Sequence, residues 1–508
     1  MLKSAENNSL NVLFFTLLVF LAGEHLLIYL SVNIRYIDDD QVLMWLGAKD
    51  YANGVFHEPR FYGQAYNTFL EALVAVPFIW MKIPVYYAVP LATHLLFLFP
   101  FVFTSFILKR IGKIDKAILL LILLLCMPLG YNIVTSIPRG FITGLFFCSF
   151  YILSLINPRK EKYIILNTSL SLVAFLVNPN SLLISIPFLA YIGFHNYKSK
   201  GYYRASFLGL LIALPVEFIL NQFYRSHPEH VVFTLDNKFH PSYFVNAISH
   251  LDTHFAHIGL LVEGTSLLSI LIIISLAVYF YRHNRYWFFV ILLFVFILLC
   301  SLCFQKISEG GTWPFFSLSR MFLALPFLFM FSLWFFPPLH KKWLKVAFAL
   351  TLVYTIIKMV TFQGKLEQYV ADKNWMTLSL FPFEKVMQHT SSLRSICKEY
   401  DTNLILIIGA CWGDNFINYG GPALFDDYPR TFKPHFERRR WRTDEELNQV
   451  NESFIIYSRD KYLDIRCHET HKEINIQKIN EDGMFYVYNN SMSTLQFLNT
   501  IDAKTLGF

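Results

Sequence analysis

Polar residues are scarce along the first 362 positions and gather in short clusters. Between the clusters run eleven apolar stretches, at 10–32, 85–108, 117–135, 139–156, 163–177, 180–195, 204–223, 264–282, 286–304, 316–336 and 343–362. Hydrocarbon offers no partner to a backbone amide, so stretches of this kind must be helices, each needing roughly 20 residues to cross a bilayer. The pattern predicts a polytopic, all-α membrane part. Two stretches, 163–177 and 180–195, are short and meet at Asn178-Pro179-Asn180, as tilted helices or a broken pair would. No small-residue cleavage site follows the first stretch, so it reads as a retained span rather than a secretory signal.

Between the first two stretches, residues 33–84 are too polar to cross. Asp40–Tyr51 reads as a short helix ended by Gly54. Tyr66–Trp80 reads as a helix with an apolar stripe of Phe69, Leu70, Leu73 and Val76, suited to the membrane interface. After Gln363 the pattern changes. A helix over Glu384–Tyr400 precedes a buried-strand run, Leu404–Ile408, and a helix near Asp444–Val450 precedes another, Ser453–Tyr457. Ile474–Ile479 and Met484–Tyr488 then flank Asn480-Glu481-Asp482-Gly483, a hairpin signal. Two domains are expected: a membrane domain, 1–362, with the outer loop 33–84, and a small α/β domain, 363–508. No glycine-rich phosphate loop follows the first strand, so nothing supports nucleotide binding.

Composition and charge sharpen this picture. The chain is 55% hydrophobic and 16% charged, far from a soluble globular protein. Lys109, Arg110, Lys113 and Lys116 form one basic cluster; Arg159, Lys160 and Lys162 a second; Lys198, Lys200 and Arg204 a third. Arg282 with Arg285, and Lys341, Lys342 and Lys345, complete the set. All fall on one side if the stretches alternate from a cytoplasmic N-terminus, which places 33–84, 224–263, 305–315 and the tail on the outer face of a plasma or inner membrane. Residues 1–362 carry 26 basic and 16 acidic side chains, against 17 and 20 in residues 363–508. The basic excess is thus a membrane-orientation bias, and nucleic acid is not an expected partner. Cys397, Cys411 and Cys467 lie in the tail and allow at most one bridge.

The candidate chemistry begins at Asp38-Asp39-Asp40, just after the first stretch. Adjacent carboxylates stay ionised only against a counter-charge: a divalent cation, an arginine, or a reacting hydroxyl that gives up its proton. The plainer reading is a helix cap. Arg139, in Ser136-Ile-Pro-Arg-Gly140, and Arg320, in Ser317-Leu-Ser-Arg320, stand at outer ends of apolar stretches, where a charge calls for a partner. Snorkelling to headgroups is the alternative for Arg139. Glu24 and Glu217 lie deep in apolar stretches with no partner that spacing can name, and Lys358 lies within the last one. His250, His254 and His257 share a helical face, yet no carboxylate or cysteine fixes a zinc set. The run Arg438-Arg439-Arg440-Trp441-Arg442 has acidic neighbours and reads as a solvated loop.

The order Asp39-Asp40, a short helix ending at Gly54, then Phe61-Tyr62-Gly63-Gln64-Ala65-Tyr66 and the helix carrying Leu70-Glu71-Ala72 resembles the first periplasmic loop of the GT-C glycosyltransferases. More specifically it is similar to the bacterial protein-mannosyltransferase-like branch, relatives of the lipid A aminoarabinose transferases. Two departures stand: Asp38 leaves the register open by one, and Asn67 sits where Met is common. The resemblance implies a GT-C-like membrane fold of about eleven helices with a C-terminal extracytoplasmic α/β domain. It implies transfer of a sugar from a polyprenyl-phosphate donor to a hydroxyl of a glycan, lipid or protein acceptor at the outer membrane face. Asp39 matches the base and Asp40 its companion. Gln64, Tyr66, Glu71, Arg139, Arg320 and Glu309 are the substrate-binding candidates, with Arg320 favoured for the leaving phosphate. No cofactor beyond a divalent cation is suggested, and membrane lipids are the surrounding partners. A transporter or flippase of a lipid-linked sugar would show inverted repeats, which are absent here. A glycan polymerase or ligase, or a membrane scaffold, are the remaining alternatives.

Overall fold

The computed structural model describes residues 2–38, 40–62, 67–228, 230, 238–249, 251, 266–308, 321–371, 381–409, 413–433 and 446–501. It is mostly helical, with a sheet in the C-terminal region. Among the described residues four helices are long and apolar enough to cross a membrane: Asn8–Asn33, Val85–Arg110, Lys200–Ser226 and Lys341–Val360. A fifth candidate is a bent pair, Ile114–Leu125 (α5) with Leu129–Ser136 (α6). Eleven full spans do not form there. Most remaining apolar stretches become helices of 10–17 residues, such as Thr143–Ile156, Leu267–His283 and Arg285–Ser301. At about 1.5 Å per residue the longest of these reach only about 25 Å, short of a bilayer's hydrocarbon core of about 30 Å.

Proline and asparagine cause two informative breaks. The stretch 117–135 splits at Pro128, which lacks an amide hydrogen, and α5 and α6 meet at 91°. Two carbonyls at that corner, of Leu125 and Met127, accept from Lys358 Nζ at 2.8 and 3.0 Å. Lys358 also lies 2.6 Å from Glu24 Oε1, which takes a further hydrogen bond from Asn132 Nδ2 at 2.7 Å. Lys358 thus supplies the partner that spacing could not assign to Glu24. The second break is Asn178-Pro179-Asn180, between helices Glu161–Val177 and Leu182–Asn196.

Helices Leu2–Ile28 (α1) and Val85–Arg110 (α4) pack with α5 through Phe14, Leu17, Leu21, Phe101, Leu120 and Leu121, all buried in one cluster. Between α1 and α4 run a two-residue strand, Tyr36–Ile37 (β1), and two short helices, Gln41–Ala52 (α2) and Leu70–Trp80 (α3). These helices bury Val42, Trp45, Ala72 and Val76 in a second core.

In the C-terminal region, a helix over Phe383–Glu399 precedes a five-stranded sheet. Leu404–Ile408 (β3) pairs in parallel with Arg430–Phe432 (β4) and Phe454–Ser458 (β5). Met484–Val487 (β7) runs antiparallel to β5 and forms a hairpin with Ile476–Asn480 (β6). All five residues of β3 and of β5 are buried, because side chains alternate between two covered faces. Leu404, Leu406 and Ile408 face Leu463 and Phe497, whereas Ile405 and Ile407 face Leu393 and Ile417. Cys397 and Cys467 are free thiols on opposite faces, so they form no bridge; Cys411 lies outside the described residues.

This region is joined to the segment between α1 and α4. Phe381–Pro382 (β2) pairs antiparallel with β1, and the Phe383 amide donates to the Arg35 carbonyl at 2.7 Å. Lys49 of α2 reaches Asp426 at 2.8 Å and the Pro422 carbonyl at 2.6 Å.

Candidate active site

The end of β1 turns directly into α2, and the acidic run occupies that turn. Asp38 is 2% exposed. Its Oδ1 accepts the Asp40 amide at 2.8 Å, and its own amide donates to Gln41 Oε1 at 3.3 Å. Asp40 is the residue before α2, with its side chain 41% exposed. Across from both lies Arg139, with only 4% of its side chain exposed. Nη1 donates to Asp38 Oδ2 at 3.1 Å and Nη2 to Asp40 Oδ2. The counter-charge demanded by the acidic run is therefore an arginine, brought in from 99 and 101 residues away. A guanidinium suits the task, since its donors fan out in a fixed plane and can serve two carboxylates at once. Arg139 also lies over the Phe141 ring, 5.3 Å from its centroid.

The turn that carries Arg139 belongs to no helix; the expected helix over 139–156 starts only at Thr143. Its backbone groups are instead taken up by side chains. Asn67 Nδ2 donates to the Arg139 carbonyl at 3.1 Å, and Asn178 Nδ2 donates to the Gly140 carbonyl at 2.9 Å. Glu71 Oε2 accepts the Gly140 amide at 2.8 Å. Asn178 also donates to Asn67 Oδ1 at 2.8 Å, and Asn180 Nδ2 to the Phe141 carbonyl at 2.7 Å. Gly140 has φ +73°, and a Cβ there would sit 2.7 Å from Asn67 Nδ2. Glycine is required on both counts. One turn earlier, Asn33 Nδ2 donates to the Ser136 carbonyl at 3.0 Å and its Oδ1 lies 2.9 Å from His94 Nε2. His94 in turn meets His25 at 3.0 Å.

Glu71 is fully buried. Loss of hydration pushes its carboxyl up to about 8, against smaller opposing contributions from the Gly140 amide and the Thr93 hydroxyl. Burial thus favours its neutral form.

Of the expected site residues, the structure brings together Asp38, Asp40, Arg139 and Glu71. Asp39, Gln64, Tyr66, Glu309 and Arg320 lie outside the described residues, as do His250, His254, His257 and the run 438–442. Asn67, Asn178 and Asn180 were not legible as site residues. Asn178-Pro179-Asn180 reads as a break, but a break between buried helices also leaves polar groups facing inward, and that was the available signal. Among the described residues, no three His, Cys, Asp or Glu side chains gather as a metal site.

No family model matches the chain, and no curated protein matches it. Among solved structures it is similar to ArnT from Cupriavidus metallidurans in the apo state, with a TM-score of 0.45 and 12% identity, covering 94% of this chain and 98% of that one. The structure of ArnT from Cupriavidus metallidurans bound to undecaprenyl phosphate gives a TM-score of 0.45 and 12% identity, covering 93% and 98%.

Proposed function

We propose that this chain is an inverting glycosyltransferase that moves a sugar from a polyprenyl-phosphate donor to an acceptor hydroxyl at the outer membrane face. The observation that carries the proposal is the bridge from Arg139 to Asp38 and Asp40. An acceptor hydroxyl becomes a competent nucleophile when a carboxylate takes its proton, and such a carboxylate must stay ionised among others like it. Arg139 supports this by holding the two flanking carboxylates, which fixes the backbone on both sides of Asp39. Asp39 is the base, as the first-loop resemblance implies. Its proton comes from the acceptor oxygen as that oxygen bonds the anomeric carbon, and the lipid phosphate leaves with the bonding pair. Since Arg139 already serves two carboxylates, the departing phosphate needs another cation, and Arg320 is assigned that part. A second reading makes Asp40 the base, favoured by its exposure beside a deeply buried Asp38.

The test is transfer by the purified full-length chain in detergent, from a panel of polyprenyl-phosphate monosaccharides, with Asp39→Asn and Asp40→Asn beside wild type. Loss of transfer in Asp39→Asn by at least about 100-fold, with donor binding retained, is the expected result, in the range set by removing a general base. An active Asp39→Asn with a dead Asp40→Asn moves the base by one residue. Binding of donors by wild type without transfer to any acceptor sinks the transferase reading in favour of a carrier.

A further inference from the structure

The turn at Arg139-Gly140 has a complete hydrogen-bond account, and most of it is not local. The Arg139 amide donates to the Ile137 carbonyl at 2.9 Å. The other three backbone groups of the pair go to Asn67, Glu71 and Asn178, drawn from two separate parts of the chain, and the Gly140 carbonyl also accepts from the Thr143 hydroxyl at 2.9 Å. A left-handed glycine outside any helix has no ladder to hold it, so these side chains set where the next peptide, and hence the Arg139 side chain, points. Glu71 alone accepts an N–H of the pair from another element. It does so from the first turn of α3, a helix wedged between α2 and α4 in the second core. Its other neighbour is Thr93 of α4, whose hydroxyl also donates to the Val89 carbonyl at 3.2 Å.

We infer that Glu71 is a positioning residue: it holds the Gly140 peptide so that the Arg139 guanidinium lies across Asp38 and Asp40. This rests on the reading of the acidic run as the reacting site. Glu71 touches no substrate and acts through the turn. A buried amide left without its acceptor would relax toward another partner, and misplacement of a catalytic array by about 1 Å can cost about 100-fold in rate. Glutamine keeps an acceptor oxygen of the same reach, whereas leucine fills the volume and accepts nothing.

The experiment compares Glu71→Gln and Glu71→Leu with wild type in the full-length protein, by two readouts. The first is kcat and KM with a polyprenyl-phosphate sugar that wild type turns over. The second is hydrogen exchange over the peptide 137–142. Glu71→Gln is expected to stay within about threefold of wild type in kcat, while Glu71→Leu loses about 100-fold with KM changed by less than about threefold. Exchange over 137–142 should quicken in Glu71→Leu alone, and adding Glu71→Leu to Arg139→Ala should cost little more than Arg139→Ala by itself. A Glu71→Leu enzyme that keeps wild-type kcat overturns the inference, as does a Glu71→Gln enzyme equally damaged. If wild type transfers from no donor, the transferase reading fails separately. Exchange then decides on its own: quickening confined to 137–142 in Glu71→Leu sustains the positioning role, and no change there, or a uniform rise over the chain, ends it.

Discussion

At the scale of single residues, the acidic run and Arg139 were legible because charge at a hydrocarbon edge demands a partner. That they partner each other was not, since nothing local links positions a hundred residues apart. Glu71 shows the same division: its position on an apolar helix was readable, its state of protonation was not. That state has a consequence for stability. The carboxyl titrates near 8 in the fold and near its ordinary 4.5 when unfolded. Between those values the native protein binds more protons than the unfolded chain, so stability falls as pH rises from about 4.5 to about 8 and then levels off. Glu71→Gln removes this contribution. Melting of wild type and Glu71→Gln in detergent from pH 5 to 8.5 should therefore show the steeper decline in wild type. Parallel curves would mean that Glu71 is already ionised in the folded protein.

At the scale of elements, the apolar pattern marks where helices lie better than where they stop. β3 forms over Leu404–Ile408 as its unbroken run of β-branched and aliphatic residues implies, and the hairpin turns at Asn480–Gly483 as its residues require. In the membrane part, hydropathy sees the stretch 117–135 as continuous, yet Pro128 turns it by 91°. The corner is tolerable because Lys358 satisfies its carbonyls and Glu24 satisfies Lys358. Removing one member of a buried pair strands the other, at a typical cost of about 3–5 kcal/mol, whereas replacing both with apolar residues of similar volume is often near neutral. Lys358→Met alone should thus lower the unfolding temperature well below that of the Glu24→Leu/Lys358→Met double variant. A double variant no more stable than Lys358→Met would show that the hydrogen bonds to Leu125 and Met127, not the charge pair, hold the corner.

For the whole molecule, the C-terminal region is fastened to the loop that carries the acidic run. β1 pairs with β2, Phe383 packs on Tyr86 and Trp45 with ring centroids 4.6 and 5.9 Å away, and Lys49 reaches Asp426. A change in this fastening should be felt at the acidic run. Phe383→Ala is expected to speed hydrogen exchange in peptides covering Tyr36–Ile37 and α2 by at least about tenfold, equivalent to about 1.4 kcal/mol of local stability. Acceleration limited to the C-terminal peptides would mean that the two regions are fastened without being coupled.

The pairing of β1 with β2 also sets an order of events during synthesis. Ile37 leaves the ribosome 344 residues before Phe381, the residue opposite it. At about 5–20 residues per second that interval is about 20–70 s. During it, most of the helices are made while the strand leading into the carboxylates waits for its neighbour. The turn is completed late, so a chain interrupted before its final quarter carries the acidic run and its arginine but not the strand that pairs with β1.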